Sequence, residues 1–261
     1  MAGNFETDIE LFYTEKGAGF PLILLHGNGE NNTYFVHQIE AFSSHFHVYA
    51  IDTRGHGQSP RGTMPFTIRQ FSDDLLAFMD QHDIAKAHIL GFSDGGNIAM
   101  IFAMKYPERV ERLILNGANL DPSGIKRSTQ LPIEIGYKFA SKFAGKSDEA
   151  KLNAEMLGLM VNDPNVAPDE LAQIKADTLV IAGTSDMVKD EHTRLIASKI
   201  ANSKLAIIKG NHFIANKNPE EFNRVVLEFL ANEEHDLNRS AKTAQTSDFI
   251  GVFSLSESFL M

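Results

Sequence analysis

The stretch Gly91-Phe92-Ser93-Asp94-Gly95-Gly96 limits what this chain can fold into more than any other segment, because it separates two runs of different periodicity. Residues 87–90 before it form an apolar, strand-like run, and residues 97–106 after it follow a helical pattern. A serine between glycines at a strand-to-helix turn is typical of a nucleophile elbow, whose strained turn leaves no room for a Cβ at either glycine. The pattern therefore predicts that Ser93 is a nucleophile held at the edge of a sheet. The alternative is a serine that only caps the following helix.

An acid and a histidine follow Ser93, and each comes directly after an apolar run. Asp186 follows the run at 178–182, and His212 follows the run at 205–208. Side chains at the carboxyl ends of parallel strands lie at one edge of an open α/β sheet, so all three are expected to converge. Asp121 is the alternative acid, because it follows another predicted strand at 110–115. For His212, the alternative is a surface histidine without a chemical role.

Strand-like and helix-like segments alternate along most of the chain, starting with a strand predicted at residues 9–14. This alternation predicts right-handed crossovers and an α/β fold with a mostly parallel central sheet, covered by helices on both faces. Between residues 119 and 174 the alternation stops, and the apolar residues there predict two or three helices. We therefore expect a core formed by residues 1–118 and 175–231, with a small helical cap inserted at 119–174.

Residues 232–261 form a C-terminal tail beyond this pattern, and the first half of the tail has the polar composition typical of disordered segments. Apolar residues at 249–253 and 259–260 leave three interpretations open. The tail docks on the body, docks on another subunit, or is an unstructured remnant.

With Ser93, Asp186 and His212 in this chain order, the sequence resembles the α/β-hydrolase family over residues 7–231. The resemblance implies a carboxylesterase-like enzyme in which His212 takes the proton of Ser93 and Asp186 orients the imidazole. It implies neither a metal nor an organic cofactor.

The elbow itself, together with Lys105-Tyr106-Pro107 and Asn116-Gly117-Ala118-Asn119, is similar to the biphenyl-hydrolase-like branch of that family, which includes valacyclovir-type α-amino-acid ester hydrolases. In that branch an acidic residue after the nucleophile binds the α-ammonium group of the substrate. Asp94 holds this position here, and we hypothesise the same role for it. The alternative is that its carboxylate only caps the helix and interacts with the helix dipole.

The family resemblance also implies an oxyanion hole made of two backbone N–H groups. One donor is expected to be Asp94, the residue after the nucleophile, and the other Asn28, in the loop His26-Gly27-Asn28-Gly29. Loss of one such donor typically costs about 10²–10³ in rate, so the placement of this loop is as important as the side chains.

Composition narrows the classes of partner that fit. The formal net charge of −10 argues against a nucleic-acid-binding surface or an anionic membrane target. Without cysteine the chain can form no disulfide, thiolate metal site or cysteine nucleophile. The first residues lack the basic and apolar parts of a signal peptide, and no apolar run approaches about 20 residues. We expect a cytoplasmic protein whose partner is a small-molecule ester; its oligomeric state stays open.

The predicted reaction is hydrolysis of a small carboxylic ester through an acyl-serine intermediate. Hydrolysis of a C–C bond or a lactone by the same three side chains is an alternative, because the fold alone does not separate these reactions. A ligand receptor or regulator of the same fold, with very slow turnover, is an alternative from a different class.

Overall fold

A single seven-stranded sheet forms the centre of the protein, whose computed structural model describes residues 7–231. The strands lie in the order β1-β3-β2-β4-β5-β6-β7, and all neighbours are parallel except the antiparallel pair β1 and β3. The strand bounds are β1 Tyr13–Lys16, β2 Pro21–Leu25, β3 His47–Ile51, β4 Ala87–Phe92, β5 Val110–Asn116, β6 Asp177–Gly183 and β7 Ser203–Ile208. The predicted fold class, a mostly parallel α/β sheet, is confirmed.

Helices cover both faces of this sheet. Alternate residues of β2 show the two faces: Ile23 packs in the same apolar cluster as α2, α3 and α6, and Leu22 packs in the cluster of α1 and α8. The helix bounds are α1 Val36–Phe42, α2 Ile68–Gln81, α3 Asp94–Lys105, α4 Arg127–Phe143, α5 Asp148–Asn162, α6 Asp190–Lys199, α7 Ile214–Lys217 and α8 Pro219–Ala231. Because the central strands are buried on both faces, their sequences are continuous apolar runs.

The first strand differs from the prediction. It was expected at residues 9–14, but the strand begins at Tyr13 and ends at Lys16. Ile9 is buried without being part of a strand, so its apolar character reflects packing and not β pairing. The strand bounds are set by the ladder with β3, which joins Tyr13 to Ile51 and Lys16 to Val48.

Helices α4 and α5 lie in the range predicted for the cap. Helix α5 begins where the Ser147 hydroxyl accepts a hydrogen bond from the Ala150 N–H, and Asp148 and Glu149 follow in its first turn, near the positive end of the helix dipole. Arg61, in the range predicted for the α/β core, forms an ion pair with Glu155 of α5 through two hydrogen bonds. The division into core and cap stays a prediction, and the predicted tail at 232–261 lies outside the described residues.

None of the helices within residues 7–231 is both long enough and apolar enough to cross a lipid bilayer.

A buried ion pair stabilises the turn after β3. The guanidinium of Arg54 is fully buried and donates to both carboxylate oxygens of Asp74, at 2.7 and 2.6 Å. Asp8 provides a second, partly exposed partner for Arg54 at 2.8 Å. Removing one member of such a pair leaves a buried charge without compensation, which is costly.

We expect Asp74→Ala to lower the free energy of unfolding by about 3 kcal/mol, because Arg54 then keeps only the partly exposed Asp8 as a carboxylate partner. The neighbouring Asp73, which pairs with the half-exposed Lys105, is the matched control. For Asp73→Ala the expected loss is about 1 kcal/mol or less. Urea denaturation of both variants measures the difference, and equal losses would contradict the assignment.

Candidate active site

Ser93 stands at the junction of β4 and α3 in a strained backbone conformation. Its φ of +53° lies in the left-handed region that non-glycine residues rarely adopt. Hydrogen bonds fix this turn from both sides: the Ser93 N–H donates to Asn116 O at 2.8 Å, and Ser93 O accepts from the Asn97 N–H at 3.0 Å. The Ser93 hydroxyl makes no capping hydrogen bond to α3, so it is free of the structural role that was the alternative.

The glycines of the elbow are required by close approach of the backbone. A Cβ on Gly91 would lie 2.1 Å from Gly95 O, and a Cβ on Gly95 would lie 2.1 Å from Leu25 O. Both contacts are with backbone atoms, which cannot rotate away as a side chain can. The glycines therefore allow the N-terminus of α3 to pack directly against β2 and β4.

The structure brings together the three side chains that the sequence predicted. His212 Nε2 lies 3.0 Å from Ser93 Oγ, and His212 Nδ1 lies 2.7 Å from Asp186 Oδ1. His212 and Asp186 are both buried. Asp121 does not take this place, since its carboxylate accepts a hydrogen bond from the Ser123 N–H in a short turn. The order Ser93–His212–Asp186 is the geometry that nucleophilic catalysis requires.

Hydrogen bonds outweigh burial at Asp186. Burial alone would raise the pKa of this carboxyl, but the hydrogen bond and charge of His212, with the N–H groups of Val188 and Gly183, lower it below its usual value. Asp186 is therefore ionised at neutral pH. A fixed negative charge there stabilises an imidazolium at His212 when the histidine takes a proton.

The two expected oxyanion donors flank Ser93. A Cβ on Gly27 would lie 3.1 Å from Ser93 Cβ, which shows how closely the loop carrying Asn28 approaches the nucleophile. Asp94 is the first residue of α3, where backbone N–H groups have no partner within the helix. Their role in binding an oxyanion stays a prediction.

His26 fixes the orientation of the loop. Its Nε2 accepts the Thr53 N–H at 3.0 Å, so Nδ1 carries the hydrogen and donates to Gly27 O at 2.7 Å. Burial, together with the charge of nearby His56, lowers the pKa of His26 to about 4, so the ring is neutral at neutral pH. In a trans peptide the C=O and N–H point in opposite directions. Holding Gly27 O against His26 therefore directs the Asn28 N–H away from that ring.

The carboxylate of Asp94 is bound by side chains and not by the backbone of α3. Its oxygens accept from Asn28 Nδ2 at 2.9 Å and from Asn97 Nδ2 at 3.2 Å. Burial raises the pKa of Asp94, and these two hydrogen bonds and the charge of His212 oppose the rise. Asn28 Nδ2 also donates to Met156 O of α5 at 2.8 Å, which ties the loop to the helices above it.

A small cavity opens above Ser93 between the sheet and helices α4 and α5. Asn119, from the segment that is similar to the biphenyl-hydrolase-like branch, lines it. Its lining also includes residues that the sequence did not single out, because nothing in their local pattern marks them: Ile125, Gln130, Met160, Asp163 and Met187. Asp163 also lines a wider surface groove between α4 and α5. Within residues 7–231 no three His, Asp or Glu side chains are grouped so as to hold a metal ion.

Glu30 is a further group near the site that sequence reasoning did not identify. Its carboxylate accepts the Gly27 N–H at 3.3 Å, next to the proposed oxyanion donors. Burial raises the pKa of Glu30 to about 7, against the opposing effects of the Gly27 hydrogen bond and the charge of His212. Glu30 is therefore a group that titrates near neutral pH beside the loop that carries Asn28.

This fold and this site are those of an α/β hydrolase. The family model described as alpha/beta hydrolase fold matches residues 21–154, and the chain belongs to that family. This chain shows the family's features at the site: the strained serine, the close glycine contacts and the histidine hydrogen-bonded to the serine.

Three proteins show the range of similar relatives. The chain is 30% identical over 264 residues to the 2-hydroxy-6-oxononadienedioate/2-hydroxy-6-oxononatrienedioate hydrolase of Escherichia coli, covering 85% of this chain and 91% of that protein. It is 29% identical over 245 residues to the putative carbamate hydrolase RutD of Caulobacter sp., covering 81% and 91%. The structure of the enol-lactonase from Burkholderia xenovorans LB400 superposes with a TM-score of 0.69 at 25% identity, covering 86% and 97%.

Because the pKa of Glu30 is raised, replacing this residue should stabilise the protein by an amount that depends on pH. A carboxyl whose pKa is raised in the folded state stabilises that state at low pH, and the stabilisation is lost as pH rises from 4.5 through about 7. We expect Glu30→Gln, which keeps an acceptor for the Gly27 N–H, to melt higher than the wild type above pH 7. The difference should shrink towards pH 4.5.

Thermal unfolding from pH 4.5 to 9 measures this difference, with the exposed Glu10→Gln as control. A Glu30→Gln difference that does not vary with pH would be evidence against an unfavourable ionisation at this position.

Proposed function

We propose that this protein is a serine hydrolase that cleaves a small carboxylic ester through an acyl-Ser93 intermediate. The observation that carries the proposal is the continuous hydrogen-bond path from Ser93 Oγ through both nitrogens of His212 to Asp186 Oδ1. The strained elbow supports it, because strain of this kind is retained where it has a function.

In the proposed reaction Ser93 Oγ attacks the ester carbonyl while its proton passes to His212 Nε2. The negative charge moves to the carbonyl oxygen, which the N–H groups of Asn28 and Asp94 stabilise. When the tetrahedral intermediate collapses, His212 returns the proton to the leaving alcohol and the acyl group stays on Ser93. A water molecule then repeats the sequence with His212 as base, releasing the acid and restoring the serine.

The charge of the cavity bears on the choice of substrate. Asp94 and Asp163 both line it, and among its described lining residues there is no Lys or Arg. The negative charge of Asp94 contributes, after burial, to the raised pKa of Asp163. An anionic substrate would add a further negative charge to this site, so the cavity favours a neutral or cationic ester.

C–C bond hydrolysis is the second candidate, favoured by the 30% identity to the Escherichia coli enzyme. Its substrate, by name a dienedioate, carries two carboxylates, and the acidic cavity here opposes that class. Lactone opening stays closer to the proposal, since a lactone is a cyclic ester and the same steps apply. A carbamate, the substrate class in the name of the Caulobacter relative, likewise has a carbonyl carbon that a serine can attack.

Asp94 offers a more specific hypothesis, that its carboxylate binds an α-ammonium group of the substrate. Two amides already hold the carboxylate in place, but neither brings a positive charge to neutralise it. An ammonium group would supply that charge. The hypothesis fails if α-amino-acid esters are hydrolysed no faster than their deaminated analogues.

The first experiment measures hydrolysis of p-nitrophenyl acetate, butanoate and an α-aminoacyl ester by the wild type and by Ser93→Ala. We expect multiple turnovers in the wild type and background rates in the variant. Product limited to about one equivalent of enzyme, or equal rates in both proteins, would contradict the proposal. The first of these results would favour the slow-turnover receptor.

The acid assignment is tested by Asp186→Asn, for which we expect turnover to fall by about 10³–10⁴, because the neutral amide no longer stabilises the imidazolium. Asp121→Asn is the matched control and should retain activity within about twofold, since its carboxylate accepts from the Ser123 N–H while Asp186 is the carboxylate bound to His212. A large loss in the control together with an active Asp186→Asn would transfer the role to Asp121.

A further inference from the structure

Gln130, which lines the cavity above Ser93, has an unpaired acceptor. This side chain on α4 is 4% exposed, and its Nε2 donates to Met160 O of α5 at 3.0 Å. Its Oε1 is buried and has no hydrogen-bond partner among the described residues. Native proteins rarely leave a buried amide oxygen unsatisfied, so each case needs an explanation.

Exchanging the assigned nitrogen and oxygen of the Gln130 amide would not give the oxygen a hydrogen-bond partner. A backbone carbonyl only accepts, so the atom facing Met160 O must be the nitrogen. The oxygen therefore stays on the other side. Gln130 lines the same cavity as Ser93 and His212, so the unpaired acceptor belongs to a side chain that borders the space a substrate would occupy.

Asp163 adds a second acceptor to that cavity. It follows α5 directly and lies at the junction of the cavity with the outer groove between α4 and α5. Burial and the charge of Asp94 raise the pKa of this carboxyl, while the charge of Arg69 and the backbone of Ile68 oppose the rise. No described Lys or Arg lies within 4.0 Å of the carboxylate as an ion pair. A carboxylate in this place retains oxygen lone pairs for a further donor.

We propose that Gln130 Oε1 and the carboxylate of Asp163 form a subsite that binds a hydrogen-bond donor on the substrate, either an ammonium or a hydroxyl group. The proposal rests on the proposed ester hydrolysis at Ser93 and names a structural requirement of its substrate. Gln130 accepts from either kind of donor, whereas Asp163 discriminates by charge and favours the ammonium. A carboxylate on the substrate is rejected, because it offers neither donor nor compensating charge.

This subsite differs from the amide-bound carboxylate of Asp94 in the acceptor atoms that it leaves for a ligand. Two side-chain amides occupy oxygens of Asp94, while Gln130 Oε1 has no partner in the described protein. A site built to hydrogen-bond a substrate group discriminates strongly against analogues that lack it, because its own polar atoms are then left unpaired. Gln130 is therefore the residue at which specificity is tested most directly.

The test compares p-nitrophenyl esters of three- and six-carbon acids, each in four forms with the chain end unsubstituted or bearing a hydroxyl, an ammonium or a carboxylate. We expect the wild type to favour the hydroxyl and ammonium forms over the unsubstituted ester by about tenfold in kcat/KM, at the chain length that reaches the subsite. The carboxylate form should be the poorest.

Gln130→Met keeps the length of the side chain and removes the acceptor. It should abolish the preference for the hydroxyl form and reduce that for the ammonium form. Asp163→Asn keeps an acceptor oxygen and removes the charge, so it should reduce only the ammonium preference. Gln81→Met, at an exposed position near the end of α2, is the control and should leave all ratios unchanged.

Two outcomes would overturn the proposal. One is a wild type that hydrolyses the four forms within about twofold of each other at both chain lengths. The other is a Gln130→Met variant that folds, by thermal unfolding, and lowers kcat/KM equally for all forms, as a purely structural role would.

A binding measurement separates this proposal from the proposed reaction. In the Ser93→Ala protein, NMR titration with n-hexylammonium, hexan-1-ol and hexanoate should give binding that weakens in that order, and Asp163→Asn in the same background should weaken only the ammonium. If no ester is turned over but this order holds, the ester reaction fails and the subsite stands. If esters are turned over and the three ligands bind alike, the subsite fails alone.

Discussion

The close approach of the α3 N-terminus to strands β2 and β4 is the constraint on which the site depends. Gly91 and Gly95 allow backbone atoms to meet where a Cβ would lie 2.1 Å from a carbonyl oxygen. That approach forces Ser93 to a φ of +53° and leaves its hydroxyl outside the hydrogen bonds of the helix. The same packing places the Asp94 N–H beside the loop of Asn28. Nucleophile and predicted oxyanion donors thus depend on the same two close backbone contacts.

Electrostatics divides the site into two parts. Behind His212, Asp186 is held ionised by donors that outweigh its burial, which suits a group that must stabilise an imidazolium. In front of Ser93, burial raises the pKa of Asp94 and Asp163, and no described Lys or Arg lines the cavity. In the proposed reaction these carboxylates therefore have different roles: Asp186 supports the base, and Asp94 and Asp163 face the substrate.

Much of the fold and the positions of Ser93, Asp186 and His212 could be predicted from the sequence. Strand endings are marked by apolar runs, and residues after parallel strands must meet at one edge of the sheet. The first strand was misplaced because Ile9 is apolar for packing and not for β pairing. Gln130, Asp163 and Glu30 could not be predicted, since their proximity to Ser93 depends on how helices α4 and α5 and the loop after β2 pack. No local periodicity encodes that packing.

The central claim is that Ser93 carries the acyl group between two half-reactions. Rapid quenching of the enzyme during hydrolysis of p-nitrophenyl acetate, followed by peptide mass spectrometry, tests this claim most directly. The account predicts the added mass of one acetyl group on the peptide that contains Ser93, and none on that peptide in Ser93→Ala. Steady turnover with no acetylated peptide, or with the acetyl group on another residue, would contradict it.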